Sequence, residues 1–123
     1  SNRGFRLRSS QNPSMNQISP TEMANQMAHA KPDAPAPLLL DVREAWEVQI
    51  CAIPQAVHMP MSEIIARVGE LDPAMPIVCI CHHGSRSAHV GQWLETQGFS
   101  QVSNLTGGID AWSRDVDPTI ARY

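Results

Sequence analysis

The strongest constraint on the fold lies between residues 77 and 98. Ile77-Val78-Cys79-Ile80 is a short apolar run, β-branched at three of its four positions and preceded by Pro76. Such a run reads as a buried strand. From Ser87 the period changes. Val90, Trp93 and Leu94 share one face of a helix, Ala88 and Gly91 lie beside them, and Gly98 with Phe99 forms the stop. Between strand and helix stand Cys81, His82, His83, Gly84, Ser85 and Arg86. A cysteine at that junction faces the positive end of a helix and a row of backbone N–H groups. Both favour the thiolate, which is the nucleophile. A buried cysteine is more often a small apolar filler. That reading suits Cys79, inside the run, and not Cys81, which precedes polar and flexible residues. Cys81 is therefore the candidate nucleophile.

The rest of the chain supplies a sheet around this unit. Ile18 reads as part of a short edge strand. Ser19-Pro20-Thr21-Glu22 is a helix start with a capping box, and Met23, Ala24, Met27 and Ala28 form the apolar face. A methionine stripe at that spacing is core. The three prolines between Lys31 and Pro37 end the helix in a loop. Leu38-Leu39-Leu40-Asp41-Val42 is a second buried strand, of the kind covered on both faces. Arg43, Glu44 and Glu47 follow with Trp46, and the default place for such charges is the surface. Asp41 and Arg43 nonetheless end a strand, where open α/β sheets bind ligands. Ile53-Pro54 is a turn and Ala56–Met59 a short strand. Within it, His58 reads as a hydrogen-bonded structural residue. Ser62 is expected to cap a helix burying Ile64, Ile65, Val68 and Leu71, ended by Asp72-Pro73. Val102–Leu105 is the last strand. Gly107-Gly108 is a tight turn, Ile109–Trp112 a short helix, and the tail from Arg114 irregular. Alternating strands and helices predict an α/β fold: a three-layer domain with a mostly parallel five-stranded sheet flanked by helices.

Composition narrows the setting. The 123 residues suit one domain over residues 15–123. Residues 1–14 are polar and aperiodic, and are expected to be an expression remnant or flexible tail. Cys51, Cys79 and Cys81 are not a disulfide framework, and two strand positions two apart lie about 6.6 Å from each other. A reducing cytoplasm is the expected location. The formal charge is −3, with Arg3, Arg6 and Arg8 in the first eight residues. Nothing there points to nucleic acid, and no apolar run has membrane-spanning length.

Together these motifs resemble the single-domain rhodaneses, which are sulfurtransferases. Cys81-His82-His83-Gly84-Ser85-Arg86-Ser87 matches the family's C-x-x-G-x-R-S loop. Leu40-Asp41-Val42-Arg43 matches its D-V-R strand end, Glu47 its acidic residue, Ile53-Pro54 and Ala56 its I-P-x-A segment, and Gly107-Gly108 with Ala111-Trp112 its G-G-x-x-A-W. One departure is the segment Cys51–Ala56, which lacks both glycines and the histidine of the usual G-H-I-P-G-A. Cys51 is either an inert substitute or a second thiol near the site. The resemblance implies that Cys81 carries sulfur as a persulfide in a ping-pong reaction. The substrate-binding cradle is then His82, His83, Gly84, Ser85, Arg86 and Ser87, supported from behind by Asp41, Arg43 and Glu47. It implies a small-molecule donor such as thiosulfate, a thiol, dithiol or cyanide acceptor, and no metal or organic cofactor. Arg86 either faces an anionic substrate or is tied as a strut to Asp41 or Glu47, the strut being preferred. His82 and His83 read as loop lining that sets access, and His89 as a surface residue.

Three alternatives stay open. A cysteine phosphatase or arsenate reductase on the same scaffold carries five residues between cysteine and arginine, whereas this chain has four. A non-catalytic interaction module is expected to lack the loop cysteine. A metal site from Cys79, Cys81, His82 and His83 lacks zinc-knuckle spacing and is opposed by Arg86.

Overall fold

The computed structural model describes residues 15–123, so the tail expected over residues 1–14 lies outside them. Five strands, Asn16–Ile18 (β1), Leu38–Asp41 (β2), Val57–His58 (β3), Ile77–Ile80 (β4) and Val102–Leu105 (β5), form one sheet in the order β1-β5-β4-β2-β3. Every pairing is parallel, including the edges, so the "mostly" of the expectation becomes all of the described strands. Five helices accompany them: Pro20–Ala28 (α1), Ala45–Ile50 (α2), Ile64–Arg67 (α3), Ser85–Thr96 (α4) and Gly108–Asp115 (α5).

Strand residues alternate between two cores. Leu40, Cys79, Cys81 and Val102 join Val90, Leu94, Met59 and Ile64 on one face of the sheet. Leu39, Val78, Ile80 and Leu105 join Met23, Ile109 and Trp112 on the other. This is why the central strands are apolar at nearly every position: neither face meets water. Each fully buried Leu, Ile or Val contributes roughly 1.5–3 kcal/mol relative to exposure, and the run Ile77–Ile80 is buried throughout.

The capping box forms as read. Glu22 N donates to Ser19 Oγ at 3.1 Å, and Ser19 N donates to Glu22 Oε1 at 3.0 Å. The α1 face stops at Met27, and Ala28 is exposed. Other expectations are corrected. Ser62 does not cap a helix: Pro60 leads into a 3₁₀ turn, Met61–Glu63, with Ser62 inside it and no capping side chain. The helix that follows is one turn long between 3₁₀ turns, so its buried stripe is one residue wide and Ile65 is 74% exposed. The strand expected over Ala56–Met59 pairs only at Val57–His58. The helix after the cysteine loop begins at Ser85 rather than Ser87, and α5 runs on to Asp115. The helix α2 lies in the polar stretch after β2, where no helix was expected. It is opened by Glu44 N donating to Glu47 Oε1 at 2.9 Å.

Candidate active site

Cys81 leaves β4 in the middle of the sheet, at the carboxyl end where neighbouring β2 and β5 also finish. The chain curls through His82 and His83 to Gly84, which has φ 105° and opens α4. Glycine adopts that conformation without the Cβ clash other residues meet. A second helix holds the loop from beneath. Ile109 N donates to Cys81 O at 2.8 Å and Asp110 N to His82 O at 3.1 Å. These are free N–H groups of the first turn of α5. A Cβ on Gly108 would lie 2.4 Å from His82 O and 2.5 Å from Cys81 O, so the approach requires glycine. The tight turn read at Gly107-Gly108 is therefore also a docking point for the loop.

Cys81 is only 1% exposed. Gly84 N donates to its Sγ at 3.0 Å, and Ser87 Oγ lies 3.2 Å away. Of the expected row of loop N–H groups, Gly84 is the one that reaches the sulfur itself among the described hydrogen bonds. Ser87 is fully buried, and its Oγ is 2.5 Å from Asn104 Oδ1 on β5. Asn104 Nδ2 donates to Gly84 O and to Gln17 Oε1, each at 3.0 Å. Asn104 is not among the candidates the sequence offers. Its signal was a single amide in an otherwise buried strand, which must find partners. Cys79 lies on the same face, one pleat deeper, and burial, helped by the negative charge Cys81 can carry, pushes its thiol up to about 12. It is a core thiol.

Of the three charges whose default place is the surface, Glu44 is exposed, whereas Arg43 and Glu47 are buried, as is Asp41 at the strand end. Arg43 is wholly enclosed and Asp41 and Glu47 are nearly so. The physical reason is mutual satisfaction: a buried charge persists only when paired and hydrogen-bonded. Arg43 pairs with Asp41, Nη2 to Oδ2 at 2.7 Å, and also donates to Cys51 O at 2.8 Å and to Tyr123 Oη at 3.0 Å. Asp41 is thus committed to Arg43, which leaves Glu47 as the partner of Arg86. That pair is bidentate, 2.7 and 2.8 Å. The Arg86 bonds hold the Glu47 carboxyl down at about 2, against the effect of burial. Tyr123 Oη donates to Glu47 Oε2 at 2.8 Å, and burial pushes that phenol up to about 12, so it keeps its proton. Asp41, Arg43 and Glu47 stand behind the loop as a scaffold. Cys51 meets the same scaffold, its Sγ 3.9 Å from Arg43 Nη1.

Tyr123, also unremarked in the sequence, stacks on His82 with ring centroids 3.8 Å apart and planes 3° from parallel. His83 covers the other side of His82 at 3.8 Å. Burial, with His83 alongside, pushes His82 below its ordinary value, which favours neutral imidazole. His82, His83 and Asp110 bring donor atoms within 4.8 Å of one another. Stacked rings tilted by only 31° run their lone pairs nearly side by side, however, and do not converge at the ~2.0–2.1 Å a bound zinc demands. Asp110 is already paired with Arg122 at 2.9 Å. His83 and Ser85 form the exposed rim, and His89 is exposed on α4. His58 donates from Nε2 to Arg43 O at 2.7 Å, which fixes the chain after β2. A broad groove at the opposite end of the sheet, lined by Asn25, His29, Asp33 and Gln101 among others, holds none of these residues.

The family model described as Rhodanese-like domain matches residues 19–115. A protein of Allochromatium vinosum named Sulfurtransferase is 34% identical over 107 residues, covering 87% of this chain and 96% of that protein. The Rhodanese-like/PpiC domain-containing protein 12, chloroplastic, of Arabidopsis thaliana is 38% identical over 89 residues, covering 69% of this chain. There the chain spans only 30% of the relative's length. Among solved structures, a rhodanese-like domain protein from Staphylococcus aureus superposes with a TM-score of 0.74 at 28% identity, covering 89% of this chain and 99% of that one.

Proposed function

The chain belongs to the rhodanese-like domain family, and from that premise we propose that it is a sulfurtransferase working through a persulfide on Cys81. The thiolate attacks the outer sulfur of a sulfane donor such as thiosulfate. A new S–S bond forms to Cys81, the donor's S–S bond breaks, and sulfite leaves with the electron pair. A thiol, a dithiol or, in an assay, cyanide then attacks the outer sulfur of the persulfide. Cys81 thiolate departs, and the enzyme returns to its starting state. The chain's own side chains suffice for both displacements.

The observation that carries this reading is the commitment of Arg86. Its guanidinium is held edge-on by both oxygens of Glu47, and it braces the loop from the side. A phosphatase or arsenate reductase needs that arginine free to clamp a tetrahedral oxyanion, and it needs a wider loop. The recessed sulfur, with one N–H from Gly84 aimed at it, suits a cradle for one added sulfur atom. Gly84 N–H and the helix terminus offer the negative sulfur stabilisation of about 0.3–1 kcal/mol from the dipole, with the hydrogen bond in addition. His82, His83 and Ser85 line the way in, and the buried scaffold fixes the loop's shape before substrate arrives.

The test is mass spectrometry of the purified protein after thiosulfate. The expected result is a gain of one sulfur atom, reversed by cyanide, present in Cys79→Ser and absent in Cys81→Ser. Equal sulfur loading of Cys81→Ser and wild type would overturn the assignment. Hydrolysis of aryl phosphates that disappears with Cys81 would move the protein to the phosphatase class.

A further inference from the structure

The hydrogen bonds around Cys81 have a direction, and one atom sets it. Gly84 O is a backbone carbonyl and can only accept. The end of the Asn104 amide that meets it at 3.0 Å must therefore be the NH₂ group. The amide oxygen then faces Ser87 Oγ at 2.5 Å. Two oxygens that close need a proton between them, and the amide oxygen has none. The single hydroxyl proton of Ser87 is thus spent on Asn104. What Ser87 presents to Cys81 Sγ, 3.2 Å away, is a lone pair. The hydrogen in that contact belongs to the thiol.

We propose that Asn104 is a positioning residue that turns the Ser87 hydroxyl away from Cys81, so that Ser87 accepts from the thiol instead of donating to the thiolate. When Cys81 ionises, its proton leaves for solvent and the sulfur becomes an acceptor. Ser87 can serve it only by swinging its hydrogen off Asn104 Oδ1, which then loses its donor. In a persulfide the inner sulfur carries neither a proton nor the full negative charge, so the hydroxyl returns to Asn104. The arrangement favours the two uncharged conditions of Sγ, thiol and loaded persulfide, over the bare thiolate. It works against the helix terminus and the Gly84 N–H. In this way Asn104 protects an idle enzyme from adventitious alkylation and oxidation, and helps a loaded one keep its sulfur.

This inference rests on Cys81 as the reactive thiol, and its test needs no sulfur transfer. Iodoacetamide alkylation of Cys81 is followed at pH 7 as a fraction of its alkaline plateau, with Cys81→Ser as the blank for Cys51 and Cys79. Asn104→Ala frees the hydroxyl and should raise that fraction about fivefold, the effect of one net hydrogen bond. Asn104→Asp loses the same bonds to Gly84 and Gln17 but keeps an acceptor for Ser87, and should not raise it. In a Ser87→Ala background, Asn104→Ala should have no effect. Equal gains in the Ala and Asp variants, a gain that survives Ser87→Ala, or no gain at all would overturn the proposal, the first two pointing to simple slackening of the loop. Should the Asn104 variants fail to fold, the infrared S–H stretch decides. The wild-type minus Cys81→Ser spectrum should show a donating thiol, lowered in frequency, that reverts in Ser87→Ala. A Cys81 S–H band unmoved by Ser87→Ala would refute it.

Discussion

Replacing Glu47 by glutamine removes one charge and almost no volume, and its cost follows from the geometry. Glu47 is 3% exposed, accepts two bonds from Arg86, one from Tyr123 Oη and one from Glu44 N. Its carboxyl titrates at about 2 instead of 4.5. At 1.36 kcal/mol per unit this is about 3 kcal/mol in favour of the folded, ionised state. Arg86 is 36% exposed and so partly served by water, which trims the figure to about 2 kcal/mol. The sign fixes the pH window. A carboxyl depressed by folding contributes fully above its unfolded value and loses that contribution as pH falls through the folded one. Glu47→Gln should therefore be about 2 kcal/mol less stable than wild type in urea at pH 7. The gap should close between about pH 4.5 and pH 2. A gap under 0.5 kcal/mol at pH 7, or one unchanged down to pH 2, would refute the argument that this pair braces the loop.

Other perturbations probe the same architecture. Arg86→Ala should lower both the urea midpoint and kcat for sulfur transfer while leaving KM for thiosulfate within about twofold, since the guanidinium faces Glu47; a large rise in KM alone would make it a substrate clamp. Gly108→Ala drives a Cβ into the carbonyls of Cys81 and His82 at a positive φ, and should cost more than ~3 kcal/mol or prevent folding, as circular dichroism and urea titration would show. Tyr123→Phe deletes the hydroxyl between Arg43 and Glu47, and should cost about 1–2 kcal/mol by the same titration.

Local signals account for most of what the sequence disclosed. The Ile77–Ile80 and Leu38–Asp41 runs, the Ser19–Glu22 capping box and the glycines at 84, 107 and 108 each announce themselves within a few residues. The strand-to-helix junction at Cys81 is legible for the same reason. What escaped depends on partners far along the chain. Arg43 and Glu47 look like surface charges by residue type, and it is the family pattern that sets them behind the loop; their contacts with Tyr123, 80 and 76 residues away, carry no local signal. Asn104 is ordinary until Ser87 and Gly84 are beside it. The α2 helix escaped because six residues opened by Glu44 lack the usual serine, threonine, asparagine or aspartate cap. Ile65 is exposed because the period of an amphipathic helix does not carry through the two 3₁₀ turns that flank the single turn of α3.

The scaffold behind the loop also bears on when the site comes into being. Arg86 and Glu47 are 39 residues apart, Tyr123 and Glu47 76, and Arg43 and Tyr123 80. Closing spans of that length costs chain entropy before any contact repays it, whereas the strand–loop–helix unit around Cys81 is local and can form early. A half-folded chain thus has its thiol and its loop, but not the charges that shape them. During refolding the return of helical signal should run ahead of the return of catalytic competence, with the closure of Tyr123 over Glu47 among the last steps.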